Sequence, residues 1–277
     1  MSQPDFLVIG AQKAGTTWLD KMFKSHPDIW TPVVKELQFF NEFFMPNAFS
    51  WADSHRKNHA LKAIEYSIKD KKNVDWNKLS QANHIASGTS IDLGWYKKIF
   101  DFANANTTKG EMTPEYSLLG QDDVNKISKY FPNLKIILVI REPLERALSG
   151  IRMRLLQNSI AKSDQKTIDD FVVSAASDWD VIERGNYESI IRKYSLAFGE
   201  DKIKIYLSSD FKNNPKDSLK SLSMFLGVDY QKFKGEVSER VHVGKQYNIS
   251  ESAISEVKHY QESNCEWFSA NKNKFKI

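Results

Sequence analysis

The stretch DFLVIGAQKAGTTWLDKMFKSHPDI, from Asp5 to Ile29, decides how the rest of the chain is read. Phe6 to Ile9 is apolar without interruption, the pattern of a strand covered on both faces in a parallel sheet. Gly10 ends that run. Gly15 follows it five positions later, and Thr16 and Thr17 lead into the helical spacing of Trp18, Leu19, Met22 and Phe23. A strand, a glycine-bounded turn and a helix start in that order gather backbone N–H groups around one point, where the helix dipole also favours negative charge. The stretch therefore predicts a phosphate cradle built from Gln12, Lys13, Ala14, Gly15, Thr16 and Thr17.

A second apolar run, Ile136 to Ile140 within KIILVIREPLERALSG (Lys135–Gly150), predicts another buried parallel strand. Arg141 stands at its C-terminal end, where open α/β sheets bind ligands, and Pro143 starts the next helix. Ser149 lies two turns into that helix, so a guanidinium and a hydroxyl can converge on one phosphate. KIKIYL (Lys202–Leu207) adds a strand and Pro215 to Gly227 a helix. Helices are also expected over Gln121–Tyr130, Thr167–Ala176, Glu183–Phe198 and Glu251–Phe275, with a basic helix running on through Ile151–Ser163.

These patterns predict an α/β fold: a single domain over residues 1–277 with a central parallel sheet flanked by helices. Hydrophobic residues at 41% and charged residues at 27% describe an ordinary globular chain. No apolar run is long enough for a membrane span, and the first strand follows MSQPDF too closely for a signal peptide, so a cytoplasmic location is expected. Cys265 is the one cysteine, which excludes an internal disulfide, and no Cys or HExxH cluster suggests a metal. The net charge of +4 is spread along the chain, which argues against a nucleic-acid partner and suits cationic pockets for a small anion or an acidic glycan.

The loop departs from the nucleotide pattern GxxxxGK followed by Ser or Thr. Thr16 occupies the lysine position and the cation is Lys13, inside the turn. That arrangement resembles the 5′-phosphosulfate loop of sulfotransferases that use 3′-phosphoadenosine 5′-phosphosulfate (PAPS). Arg141 with Ser149 eight residues later is similar to their 3′-phosphate segment, and Tyr187 falls in the G-x-Y that begins a helix in the same family. KELQFFN (Lys35–Asn41) resembles the segment that follows the loop in heparan-sulfate-type and bacterial members, where the Glu is the proposed base; Asn41 stands where those relatives often carry Asp. Taken alone, a charged pair beside aromatic residues is equally a surface pair at an element end. KGEMTPEYSLL (Lys109–Leu119) resembles a GEKTPxY segment, with Met112 in place of the lysine.

The resemblance implies a P-loop-like sulfotransferase moving the sulfuryl group of PAPS to a hydroxyl or amine of a glycan or small molecule. Glu36 would be the general base, Lys13 would stabilise the leaving phosphate, and His242 is the alternative base. Val243, Gly244, Lys245 and Gln246, in a C-terminal stretch similar to the loop that folds over PAPS, would complete donor binding. Phe40, Glu111, Thr113 and Tyr116 would line the acceptor pocket; Trp95, at the opening of a short helix, either joins that lining or fixes the helix, and residues 45–90 are expected as a helical insertion near the site. A P-loop small-molecule kinase and a non-catalytic nucleotide- or glycan-binding module are the other readings. The missing lysine after Gly15 weighs against the kinase.

Overall fold

The structure is a computed structural model that describes residues 2–69, 73–88, 91–234 and 247–277. Among the described residues five strands carry it: β1 (Phe6–Gly10), β2 (Ile29–Trp30), β3 (Thr108–Met112), β4 (Lys135–Ile140) and β5 (Ile203–Leu207). They form one parallel sheet in the order β2-β3-β1-β4-β5. Every residue of β1 and all but the first of β4 are buried, because helices cover both faces. Gly110 of β3 is needed where it crosses β1: a Cβ there would lie 2.5 Å from the Phe6 ring.

The chain leaves β1 toward β2 through α1 (Thr16–Ser25) and leaves β4 toward β5, so the connections diverge between these two neighbouring strands. Such a divergence opens a crevice at the carboxyl ends of the strands. Between β2 and β3 come α2 (Phe39–Phe44), α3 (Ala52–Lys69), α4 (Trp76–Ser87) and α5 (Leu93–Phe100). After β3, α6 (Gln121–Tyr130) leads to β4, whose exit is α7 (Pro143–Gln157). Then follow α8 (Gln165–Ala176), α9 (Trp179–Glu183) and α10 (Tyr187–Phe198) before β5. Behind β5 lie α11 (Ser208–Asn213), α12 (Pro215–Leu226) and α13 (Glu251–Asn271).

Three local expectations are corrected. The basic helix stops at Gln157, because Ser159 turns left-handed (φ 59°). Arg154 on it forms ion pairs with Asp178 and Asp180. Glu183–Phe198 is two helices, α9 and α10, broken around Gly185 and restarted by the Asn186 side chain, which accepts from the Ser189 amide at 3.2 Å. Lys109–Met112, the start of the segment that resembles GEKTPxY, is itself part of β3 rather than lying after a strand.

Candidate active site

The loop after β1 has the shape its glycines allow. Gly15 precedes α1 with φ 103°, and Lys13 is left-handed at φ 67°. A Cβ on Gly15 would meet only the Ser208 hydroxyl, at 3.6 Å, so backbone conformation and not space demands glycine there. The first-turn amides of Thr16 and Thr17 have no intrahelical acceptor and face the loop. Ser208, the first residue after β5, sits beside this turn without any signal in the sequence.

Strand pairing brings the end of β4 to this loop. Gly10 is in register with Leu138, the Ala11 amide donates to the Val139 carbonyl at 2.6 Å, and Arg141 Nη1 donates to the Lys13 carbonyl at 3.4 Å. Glu145 holds Arg141 Nε and Nη2 at 3.1 and 3.0 Å. Tyr187 fixes the Arg141 backbone: its hydroxyl donates to the Arg141 carbonyl at 2.8 Å and accepts from the Arg141 amide at 3.3 Å. Tyr187 is buried and its hydroxyl is committed, so it sets the place of Arg141 and offers no surface of its own to a nucleotide. Ser149 is half-buried on α7. Lys13 Nζ lies 3.9 Å from Met153 Sδ, also on α7. Burial, then the Arg141 charge, holds its pKa below that of an ordinary lysine, while Glu36 pulls it back up.

Glu36 belongs to a bent segment in which both it and Gln38 are left-handed (φ 65° and 56°). Gln38 Nε2 donates to Glu36 Oε2 at 3.2 Å and Lys35 Nζ lies 3.9 Å from Oε1. Burial pushes the Glu36 carboxyl up to about 7, with Glu115 adding to the rise and Lys35, Gln38 and Arg184 opposing it. A carboxyl near 7 is half ionised at neutral pH, the range suited to general base work. The insertion lies over this segment: Arg56 Nη1 of α3 donates to the Leu37 carbonyl at 3.1 Å, His55 Nε2 is 3.4 Å from the Lys35 carbonyl, and Gln81 Oε1 of α4 accepts from the Val33 amide at 2.6 Å.

The other residues expected around an acceptor lie deeper. Phe40, Glu111, Thr113 and Tyr116 are fully buried and Trp95 nearly so, which leaves them no surface for direct contact with an acceptor. Thr113 and Tyr116 instead accept from the Gln38 and Phe40 amides, in the segment that follows Glu36. His242, Val243, Gly244, Lys245 and Gln246 lie outside the described residues.

One pair went unnoticed in the sequence. Glu115, buried after β3, accepts from Arg184 Nε and Nη2 at 3.0 and 2.8 Å and, on its other oxygen, from Gln12 Nε2 of the loop at 2.6 Å. Arg184 also pairs with Asp180, which pairs with Arg154 of α7. This chain of charges ties the loop after β1 to α7.

A sequence profile described as the sulfotransferase family matches residues 4–232. The chain belongs to the sulfotransferase family. The membrane-associated sulfotransferase kil1 of Dictyostelium discoideum is 27% identical over 146 residues, 53% of this chain and 22% of that protein, so the match spans about a fifth of the relative's length. Among solved structures, a sulfotransferase from Alicyclobacillus acidocaldarius is similar with a TM-score of 0.66 at 19% identity, over 98% of this chain and 96% of that one. The sulfotransferase domain of the Synechococcus PCC 7002 olefin synthase gives 0.58 at 16% identity, over 97% and 95%. The one from the curacin biosynthetic pathway gives 0.55 at 15%, over 95% and 98%. These structures share the sulfotransferase fold, an α/β parallel sheet between helices. Among the described residues no helix is long and apolar enough to cross a membrane.

Proposed function

We propose that this sulfotransferase takes PAPS as donor and serves a hydroxyl or amine of a small-molecule or glycan acceptor. The observation that carries the reading is the meeting of two strand ends: Arg141 Nη1 rests on the Lys13 carbonyl, and Glu36 is in electrostatic reach of Lys13. The donor set suits a molecule with phosphates at both ends of a nucleoside. The amides of Thr16 and Thr17 together with Lys13 would meet one anion, and Arg141 with Ser149 another. Arg152 on the same helix has a buried Nε without a partner, a further donor on the α7 side.

When bound, PAPS supplies an activated sulfuryl group whose leaving group is adenosine 3′,5′-bisphosphate. Glu36 accepts the acceptor's proton, and its raised pKa strengthens it as a base. Lys13 and the loop amides present positive charge to the leaving phosphate, a kind of preorganised donor whose loss commonly costs about 10² to 10³ in rate. Glu115 and Arg184 keep Gln12 and the loop in place. The lone Cys265 suits a reducing compartment, and the cytoplasm is the proposed location.

Transfer of radiolabelled sulfate from PAPS into fractionated extracts of the source cells tests this reading. A labelled product that disappears with Lys13→Ala is expected. Binding of adenosine 3′,5′-bisphosphate with no label in any fraction would replace the enzyme by a silent nucleotide-binding module.

A further inference from the structure

Glu111, at the end of β3, is a buried carboxylate whose partners are hydroxyls and a backbone amide. Its Oε1 accepts from the Tyr96 and Tyr116 hydroxyls at 2.8 and 2.7 Å, its Oε2 from Thr113 Oγ1 at 2.9 Å, and the Leu37 amide is directed at it. Two of those hydroxyls reach onward to the segment that carries Glu36. Thr113 Oγ1 accepts from the Gln38 amide at 3.4 Å, and the Tyr116 hydroxyl accepts from the Phe40 amide at 3.5 Å. One carboxylate thus governs three backbone amides just after Glu36, directly or through a single hydroxyl.

The segment requires such a hold. Glu36 and Gln38 are both left-handed without being glycine, and such backbone persists only where its surroundings over-determine it. Gln38, which precedes α2, makes no side-chain cap to that helix, so the amides of the first turn depend on this network and on the bonds of α2 itself. An ionised carboxylate is acceptor-only, which matches a site where hydroxyls and amides converge as donors. Its burial rules out contact with an acceptor.

We propose that Glu111 is a positioning residue for Glu36: through Thr113, Tyr116 and the Leu37 amide it holds the Leu37–Phe40 backbone in the path that keeps the Glu36 carboxylate sheltered beside Lys13. The inference rests on the proposed reaction for its purpose, but its test needs no turnover. Released from the clamp, the segment relaxes and Glu36 moves toward water. The groups that face Glu36 are Lys35 and Gln38 on its own segment, Lys13 from the loop after β1, Glu115 from the turn after β3, and Arg184 from beyond α9; His55 of α3 meets the neighbouring Lys35 carbonyl. All remain in the variants below. Facing Glu111 are the titratable side chains of Tyr96 and Tyr116.

The test is an NMR titration of the Glu36 carboxyl in protein labelled with carbon-13 at glutamate, assigned by difference from Glu36→Gln, together with hydrogen exchange of a peptide covering residues 36–41. It compares the native chain with Thr113→Val, Thr113→Ser and Glu111→Gln. The native Glu36 is expected to titrate at about 7. In Glu111→Gln and Thr113→Val the midpoint falls by about one unit or more toward an ordinary carboxyl, and the amides exchange about tenfold faster or more. Thr113→Ser, which restores the hydroxyl, behaves as the native chain. A folded Thr113→Val with the native midpoint and native exchange overturns the proposal. That variant decides even if Glu111→Gln fails to fold, because it keeps the carboxylate and both tyrosines. Should Glu36→Gln retain sulfate transfer, Glu36 would lose its role as base, while the titration would still report whether Glu111 positions it.

Discussion

Replacing Glu36 by Gln should make the protein more stable above neutral pH and nearly inactive. Burial raises the Glu36 carboxyl from an ordinary 4.5 to about 7. At 1.36 kcal/mol per pKa unit, holding it ionised in the folded state costs about 3 kcal/mol. The folded chain binds this proton more tightly than the unfolded chain, so the native protein keeps its full stability below about 4.5, loses it as pH rises toward 7, and is at its least favoured above 7. Gln has no proton to lose. Urea unfolding of both proteins should therefore show little difference near pH 4.5 and a gain of about 3 kcal/mol for Glu36→Gln at pH 8. Turnover of the variant should fall by about 10² to 10⁴, the usual contribution of a general base. Parallel stability profiles for the two proteins across this range would refute the claim that Glu36 is held in a site hostile to its charge.

Lys13→Ala should lower turnover by about 10² to 10³ while leaving the fold intact, read from initial rates at saturating PAPS beside the circular dichroism spectrum. Glu115→Ala leaves the buried Arg184 guanidinium with Asp180 as its remaining partner and frees Gln12, so unfolding free energy should drop by about 1 to 3 kcal/mol in urea.

Legibility in the sequence followed the range of the interaction. β1 and β4 were readable because strands buried on both faces must be apolar throughout, and α6 and α12 because proline and glycine mark helix ends locally. The early end of α7 was not, since Ser159 carries no glycine signal for its left-handed turn. The loop after β1 and Arg141 could be singled out by spacing, yet their contact required the β1–β4 pairing. Glu115 and Arg184, 69 residues apart, leave no local trace at all. Glu111 and Tyr116 were expected at a pocket from the resemblance of their segment alone; hydroxyls from α5 and from the segment itself close over the carboxylate instead. A buried carboxylate and an exposed one look alike in a sequence when their partners come from elsewhere in the chain.

Calorimetric titration with adenosine 3′,5′-bisphosphate tests most directly the claim that the ends of β1 and β4 grip one donor. The native chain should bind it, and Arg141→Ala should bind about 10- to 100-fold more weakly, the worth of hydrogen bonds from a charged donor. No heat with the native chain, or equal affinity in Arg141→Ala, would contradict it.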